Sequence, residues 1–400
     1  MKKIAIISAG VLPVPPVKGG AVENLVDFIL SENELENKLE ITVFSINDDA
    51  AADIAIRYKN CSFEYINVNK TLAKIYKSTS KTIERIFGRK IIFSNLYIRK
   101  VCGIIKKNNF DNIVIENRSE YVLPVAKSTI SKVSLHIHND YLNSDMKSGK
   151  EIFDSCHRVI TVSEFIKNRV LTLDNKYNEK IRVLQNCTDI KRFNKNLYYD
   201  FRKYFREKNN IQENEVVIMF SGRIHPTKGI KELITAFNKI GTRNCKLLVV
   251  GSSWYGSNDK SRFAQEIEKM SCDIKDQIIF TGFVPFDQMP KFHAVSDIAV
   301  IPSIWDDPAP LVVFEAMASG LPLITTDSGG IPECINEDVA IMLKRDERLI
   351  ENLTYSMEEL INDEEKRNAL GEAARKHALQ YNKERYYRDF IEILGENIKK

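Results

Sequence analysis

The chain has 400 residues, 44% of them hydrophobic and 28% charged, so it is too long for one ordinary core, long enough for two, and too apolar for a disordered or fibrous protein. With 58 Lys and Arg against 54 Asp and Glu, the formal charge of +4 is too small to demand a nucleic-acid ligand over the whole surface. The 7 cysteines form no C-x-x-C pair and are odd in number, which speaks against both a zinc site and a disulfide framework and fits reduced thiols in the cytoplasm.

Met1-Lys2-Lys3 followed by Ile4 to Ile7 imitates a secretion leader, but a short apolar run ending in Ser8-Ala9-Gly10 reads better as a buried first strand. No stretch approaches the roughly 18 apolar residues of a membrane span. A helix is expected from about Ala21, then strands at Ile41 to Ser45, Phe63 to Ile66, Ile113 to Ile115, Val133 to His136 and Val159 to Val162. Short apolar strands alternating with amphipathic helices predict a parallel sheet covered on both faces. Within this half, residues 70–107 are strongly basic, with Lys74, Lys77, Lys81 and Arg85 among the cations and Glu84 as the lone acid. Leu72, Ile75, Ile83, Ile86, Phe87, Ile91 and Ile92 recur there at helical spacing. Such a segment is either an amphipathic face for anionic lipid or a solvated helix packing on its own core.

From about Asn186 to Asn214 strand character is lost, which marks a linker and an opening helix. Strands resume at Val216 to Phe220, Lys246 to Val250, Ile278 to Thr281, Ile298 to Ile301 and Leu321 to Ile324, predicting a second doubly wound domain; from Leu349 the pattern is helical, broken around Gln380 and Tyr381. In two facing domains of this type, ligands are expected in the cleft at the carboxyl ends of the strands.

Three blocks carry chemistry. The first runs from Ile301 to Pro322 and reads strand, turn, helix, glycine cap and next strand. Its prolines precede the helix and Gly320 follows it, so the Leu311 and Val312 amides would point out of a helix N-terminus that favours an anion such as a diphosphate. Asp307 precedes this helix and Glu315 lies inside it among apolar neighbours, where a carboxylate needs a partner; vicinal ribose hydroxyls would supply two donors. The bland alternative is a helix-dipole acid and a surface glutamate. The second block, Phe220 to Gly229, brings Arg223 and Lys228 out at the carboxyl end of a buried strand, where two cations match the charge on a departing diphosphate. The third, Pro16 to Glu23, carries paired glycines before a helix; it is not G-x-G-x-x-G, so a dinucleotide dehydrogenase is poorly supported. His136 and His138 follow the fifth strand, where a histidine is either a structural hydrogen-bonding group or part of a site.

Together these blocks resemble the family 4 glycosyltransferases, a match that also takes in Val162 to Phe165, Leu184-Gln185-Asn186, Gly282-Phe283-Val284, Pro302-Ser303 and Gly329 to Glu333. The resemblance implies an α/β protein of the GT-B type, two Rossmann-like doubly wound domains facing a central cleft. It implies an acceptor-binding domain over 1–195, a donor-binding domain over 196–380, and a C-terminal helix over 381–400 that packs back on the first. It places catalysis on His138, Arg223, Lys228 and Asp307. Donor binding falls on Gly19, Gly20, Gly222, Arg223, Lys228, Phe283, Val284, Asp307, Ala309, Leu311, Val312 and Glu315, with Glu315 on the ribose and Asp307 on the transferred sugar. No metal and no cofactor are implied, the nucleotide sugar being a substrate.

The sequence departs from the family pattern at two points. Asp307 stands where the family usually has a glutamate, and Pro310 where many members have a glycine, which removes one amide donor. The activity implied is retaining transfer from a nucleotide sugar, on family grounds a UDP-sugar, to a saccharide or lipid-linked saccharide, in the cytoplasm at the inner face of the cell membrane. A sugar-nucleotide 2-epimerase and a catalytically silent nucleotide-sugar-binding protein are the competing expectations.

Overall fold

The computed structural model describes residues 1–69, 95–241, 244–253 and 261–395. The chain forms two compact units, one of Met1–Gln185 with Tyr386–Lys400 and one of Asn186–Arg385. The second unit thus begins before the expected 196 and ends after the expected 380. Its first residues are polar but ordered: Asp189 accepts backbone amide bonds from Lys191 and Arg192, and Thr188 N donates to Tyr381 O.

The first unit holds a seven-stranded parallel sheet of β1 (Lys2–Ile7), β2 (Leu39–Ile46), β3 (Cys61–Ile66), β4 (Asn112–Glu116), β5 (Lys132–Ile137), β6 (Arg158–Thr161) and β7 (Ile181–Val183), in the order 3-2-1-4-5-6-7. The second holds a six-stranded sheet of β8 (Val216–Ser221), β9 (Cys245–Val250), β10 (Ile278–Gly282), β11 (Ile298–Ile301), β12 (Leu323–Thr326) and β13 (Ala340–Leu343), in the order 10-9-8-11-12-13. Central strands read as unbroken apolar runs because helices cover both faces; Ile4 to Ile7, Ile113 to Ile115 and Leu247 to Val249 are fully buried. The edge strands β7 and β13 escaped the sequence reading, being short and half exposed. Strand β12 starts two residues later than expected, after Pro322, whose carbonyl accepts from Ala299 N.

Helix boundaries follow local chemistry. Gly20, at φ 109, opens the helix Ala21–Glu36, and left-handed Asn37 closes it. The helix Leu311–Ala318 starts after Pro310 and ends in a full Schellman motif: Gly320, at φ 69, donates to Met317 O, and Leu321 N donates to Ala316 O. The last described helix, Lys383–Gly395, has its residues from Tyr386 onward in the first unit. Tyr386, Tyr387 and Phe390 are fully buried, and Tyr387 Oη donates to Asn33 Oδ1 at 2.5 Å. Among the described residues no helix is long and apolar enough to cross a membrane.

Candidate active site

In each sheet the strand order reverses once, between β1 and β4 in the first and between β8 and β11 in the second, and connections leave in opposite directions there. The carboxyl ends at such a point form a crevice that is not roofed by a crossover.

In the second unit, four loops meet at these ends with backbone against backbone. A Cβ on Gly229, which sits at φ 68, would lie 1.8 Å from Pro302 O. One on Gly251 would lie 1.9 Å from Gly222 O, and one on Gly329, at φ 54, would lie 2.3 Å from Asp307 O. Only glycine satisfies both the positive φ and the close approach. The loops after β8, β9, β11 and β12 are therefore pressed together without side-chain spacers.

Onto this platform the sequence sets charge. Lys228 Nζ pairs with Asp307 Oδ2, which also accepts from Ser303 Oγ at 3.3 Å. The Asp307 amide donates to Ser328 Oγ at 3.0 Å, fixing the acid from both sides. His225 caps the turn Pro226–Lys228 through Nδ1, 2.8 Å from Thr227 Oγ1. Burial, then the positive charges of Arg223 and Lys228, hold its imidazole below the usual range, so both cations act on one spot. Downstream, Asn186 Nδ2 donates to Ala309 O at 2.8 Å and fixes the residue two places before the helix. The first intrahelical bond is Val313 N to Pro310 O at 3.1 Å, which leaves the Leu311 and Val312 amides at the tip. Glu315, one turn further in, is buried. Burial alone pushes its carboxyl up to about 8, and among the described residues nothing pairs with it.

In the first unit, Gly19 (φ 74) and Gly20 (φ 109) lead from β1 into the helix Ala21–Glu36, and a Cβ on Gly20 would lie 2.1 Å from Glu23 Oε2. Burial pushes the Glu23 carboxyl up to about 7 against the pull of its own backbone amide, and the neighbouring Glu116 adds to the rise. Register pairs Glu116, the last residue of β4, with His136 on β5. Its Oε2 lies 3.1 Å from His136 Nδ1 and 2.8 Å from His138 Nε2. Burial would raise the Glu116 carboxyl, but the two imidazoles outweigh it and hold it near about 2; burial, then His136, pulls His138 down to about 4. Asn117, at φ 58, donates its amide to His136 O at 2.7 Å, and its Oδ1 accepts from His138 N at 3.1 Å and from Asn139 Nδ2 at 2.7 Å. One ligand atom each from Glu116, His136 and His138 also lie within 4.8 Å of one another, close enough to hold a metal ion.

Residues 201–377 match the family model described as "Glycosyl transferases group 1". The chain is 28% identical over 389 residues to the putative glycosyltransferase YtcC of Bacillus subtilis, covering 94% of this chain and 87% of that protein. It is 22% identical over 348 residues to the lipopolysaccharide 1,2-N-acetylglucosaminetransferase of Salmonella typhimurium, covering 85% and 84%. Glycosyltransferases are what this chain is similar to, over most of the second unit by the family model and over most of its length by these relatives. Its fold is GT-B: the structure of Anabaena HepE in complex with UDP-glucose superposes with a TM-score of 0.75 at 19% identity, covering 98% of this chain and 99% of that one.

The residues singled out from sequence fall into two sets. Gly222, Arg223, Lys228, Phe283, Val284, Asp307, Ala309, Leu311, Val312 and Glu315 all lie at the carboxyl ends of strands or in the helix Leu311–Ala318 of the second unit. Gly19, Gly20 and His138 lie at the carboxyl ends of β1 and β5 in the first. The sequence separated Asp307 from Lys228 by role, sugar against diphosphate; the structure joins them as an ion pair. Glu116 and Asn117 were missed, although an acid closing the apolar run Asn112–Glu116 is itself a signal of a buried polar site. Asn186 was noted only as part of a motif, and Glu23 only as part of a loop.

The basic stretch divides. Residues 70–94, including Lys74, Lys77, Lys81 and Arg85, lie outside the described residues. Beyond them the helix Leu96–Ile105 buries Tyr97, Ile98, Val101, Cys102 and Ile105, turns Arg99 and Lys100 outward, and ties Lys100 Nζ to Asn67 O at 2.7 Å. That portion is a solvated helix packed on its own core.

Proposed function

We propose that this chain transfers a glycosyl residue from a UDP-sugar, with retention of anomeric configuration, to a saccharide or lipid-linked saccharide in the synthesis of a surface glycoconjugate. One observation carries the reading: the buried Glu315 carboxyl has no partner among the described residues, in a helix whose amide tip follows the Lys228–Asp307 pair in the chain. A ribose diol fits the first requirement and a diphosphate the second. Titrating the protein with UDP and GDP by calorimetry, in wild type and Glu315→Ala, tests it; failure of wild type to bind either nucleotide overturns it.

The second unit is the donor domain and the first the acceptor domain in this reading. Arg223, Lys228 and the Leu311 and Val312 amides bind the diphosphate. As Lys228 turns to the phosphate, Asp307 is released toward the hydroxyls of the transferred sugar. The bond from C1 to the β-phosphate oxygen lengthens to an oxocarbenium-like state, and the acceptor hydroxyl forms its bond to C1 on the same face. The freed β-phosphate takes the hydroxyl proton, so UDP leaves with the proton and the configuration is kept. The cations and amides stabilise the charge growing on the leaving diphosphate. They do for the phosphates what a divalent ion does in metal-dependent transferases, and unchanged turnover in chelator is the expected result.

UDP is preferred as the carrier because Anabaena HepE is a structural neighbour solved with UDP-glucose over nearly its whole length. Relatives whose names specify GDP-mannose, from Mycobacterium tuberculosis, share only 44% of this chain. A saccharide acceptor follows the name of the Salmonella relative. The basic run at 70–94 suits the cytoplasmic face of an anionic membrane. Sedimentation with anionic vesicles is expected to be salt-sensitive and weakened by neutralising Lys74, Lys77, Lys81 and Arg85 together.

A further inference from the structure

We infer that Glu116 is a positioning residue, which fixes His138 as the neutral tautomer with its proton on Nε2 and its lone pair on Nδ1. The inference rests on the catalytic role that the family resemblance implies for His138 and adds what that imidazole can do. It accepts a hydrogen bond from a substrate hydroxyl and donates none.

The proton count follows from who faces whom. Glu116 is almost wholly buried and offers only acceptors when ionised, and its Oε2 faces His136 Nδ1 at 3.1 Å and His138 Nε2 at 2.8 Å. Both nitrogens must carry protons for these contacts to be attractive. Among the described residues His136 Nε2 is buried with no hydrogen-bond partner, so Nδ1 is the nitrogen through which His136 meets the carboxylate. With one carboxylate satisfied by two imidazoles, the only unassigned nitrogen on His138 is Nδ1.

The backbone holds the arrangement. The rings of His136 and His138 lie 4.1 Å apart between centroids at 50°. Register between β4 and β5 sets Glu116 beside His136, and left-handed Asn117 clamps the next turn through His136 O, His138 N and Asn139 Nδ2. Two adjacent strand ends thus converge on one imidazole, and its orientation is decided by β4 rather than by the strand it follows.

The test is a histidine-labelled nitrogen–proton correlation spectrum of the whole protein, which has 6 histidines, with the His138 signals assigned from His138→Gln. At neutral pH the expected pattern is a protonated Nε2 and a bare Nδ1; a protonated Nδ1, or both nitrogens protonated, overturns the inference. This readout needs neither substrate nor a Glu116 variant. In Glu116→Met, which removes both acceptors at similar volume, the His138 tautomers are expected to mix, and an unchanged spectrum overturns the positioning role. In Glu116→Gln, turnover is expected to fall about tenfold, the difference between a charge-assisted and a neutral hydrogen bond, with KM for the UDP-sugar unchanged. Wild-type turnover in that variant counts against the inference. Absence of UDP-sugar binding in the wild type instead sinks the proposed donor and leaves the tautomer result standing.

Discussion

The two strand-end sites are built on the same topology and finished in opposite ways. In the first unit the carboxylate is satisfied by protein groups, Glu116 taking two imidazoles and Asn117 the following turn, with His136 Nε2 left over. In the second, among the described residues, Glu315 is buried with nothing to bind and Lys228 is held only by Asp307. A self-satisfied cluster gains nothing from a charged ligand and serves to orient a side chain. An incomplete one is destabilised until a ligand completes it. Under the proposed function, the difference would give orientation to one unit and affinity to the other.

Removing a cation from the incomplete site is the severest way to test that contrast. Lys228→Ala or Arg223→Ala is expected to lower turnover by roughly 10²- to 10³-fold, the cost of losing one oxyanion-type donor. Steady-state kinetics on purified variants check it, and near-normal activity in both would refute the phosphate assignment. Glu315→Ala comes next. Losing the hydrogen bonds between its carboxyl and the ribose is expected to weaken UDP binding by roughly tenfold, measured by calorimetry.

The same residue makes the contrast visible without ligand. Its folded carboxyl is raised from the usual 4.5 to about 8, so between those values the folded chain holds a proton that the unfolded chain has released. The corresponding stability is complete below 4.5, is lost as pH rises through the window, and is gone above 8. Glu315→Gln cannot ionise, so its melting temperature is expected to gain on wild type steadily from pH 4.5 to 8 and then run parallel; a constant offset would contradict the unpaired state. The mildest intervention is Gly229→Ala, expected to cost about 1–3 kcal/mol from backbone strain at a positive φ, with the Pro302 contact adding to it, read by denaturant melts.

Much of this was legible in sequence because parallel strands announce themselves. Val216 to Phe220, Ile298 to Ile301 and the block from Pro302 to Pro322 could be read as strand, loop and capped helix, since buried strands are continuous apolar runs and Gly320 can serve only as a cap. Strands β7 and β13 were not legible, because three or four residues at a sheet edge carry no periodicity. Within the candidate site, Arg223, Lys228, Asp307 and Glu315 were singled out from charge beside an apolar strand or at and inside an apolar helix. Glu116 and Asn186 were not. Each acts on another residue across a gap in sequence, Glu116 on His138 and Asn186 on Ala309, and no local pattern records a partner 123 positions away.

The glycine contacts beneath the proposed phosphate site have a thermodynamic consequence. Gly229 against Pro302, Gly251 against Gly222 and Gly329 against Asp307 lock four loops edge to edge, with no rotatable side chain between them. A nucleotide arriving there finds amides already fixed in place, so little chain entropy is surrendered on docking. Its binding is therefore set by what is gained in contact, and a single alanine in that seam turns a stiff receptor into one that must be ordered by each substrate it meets.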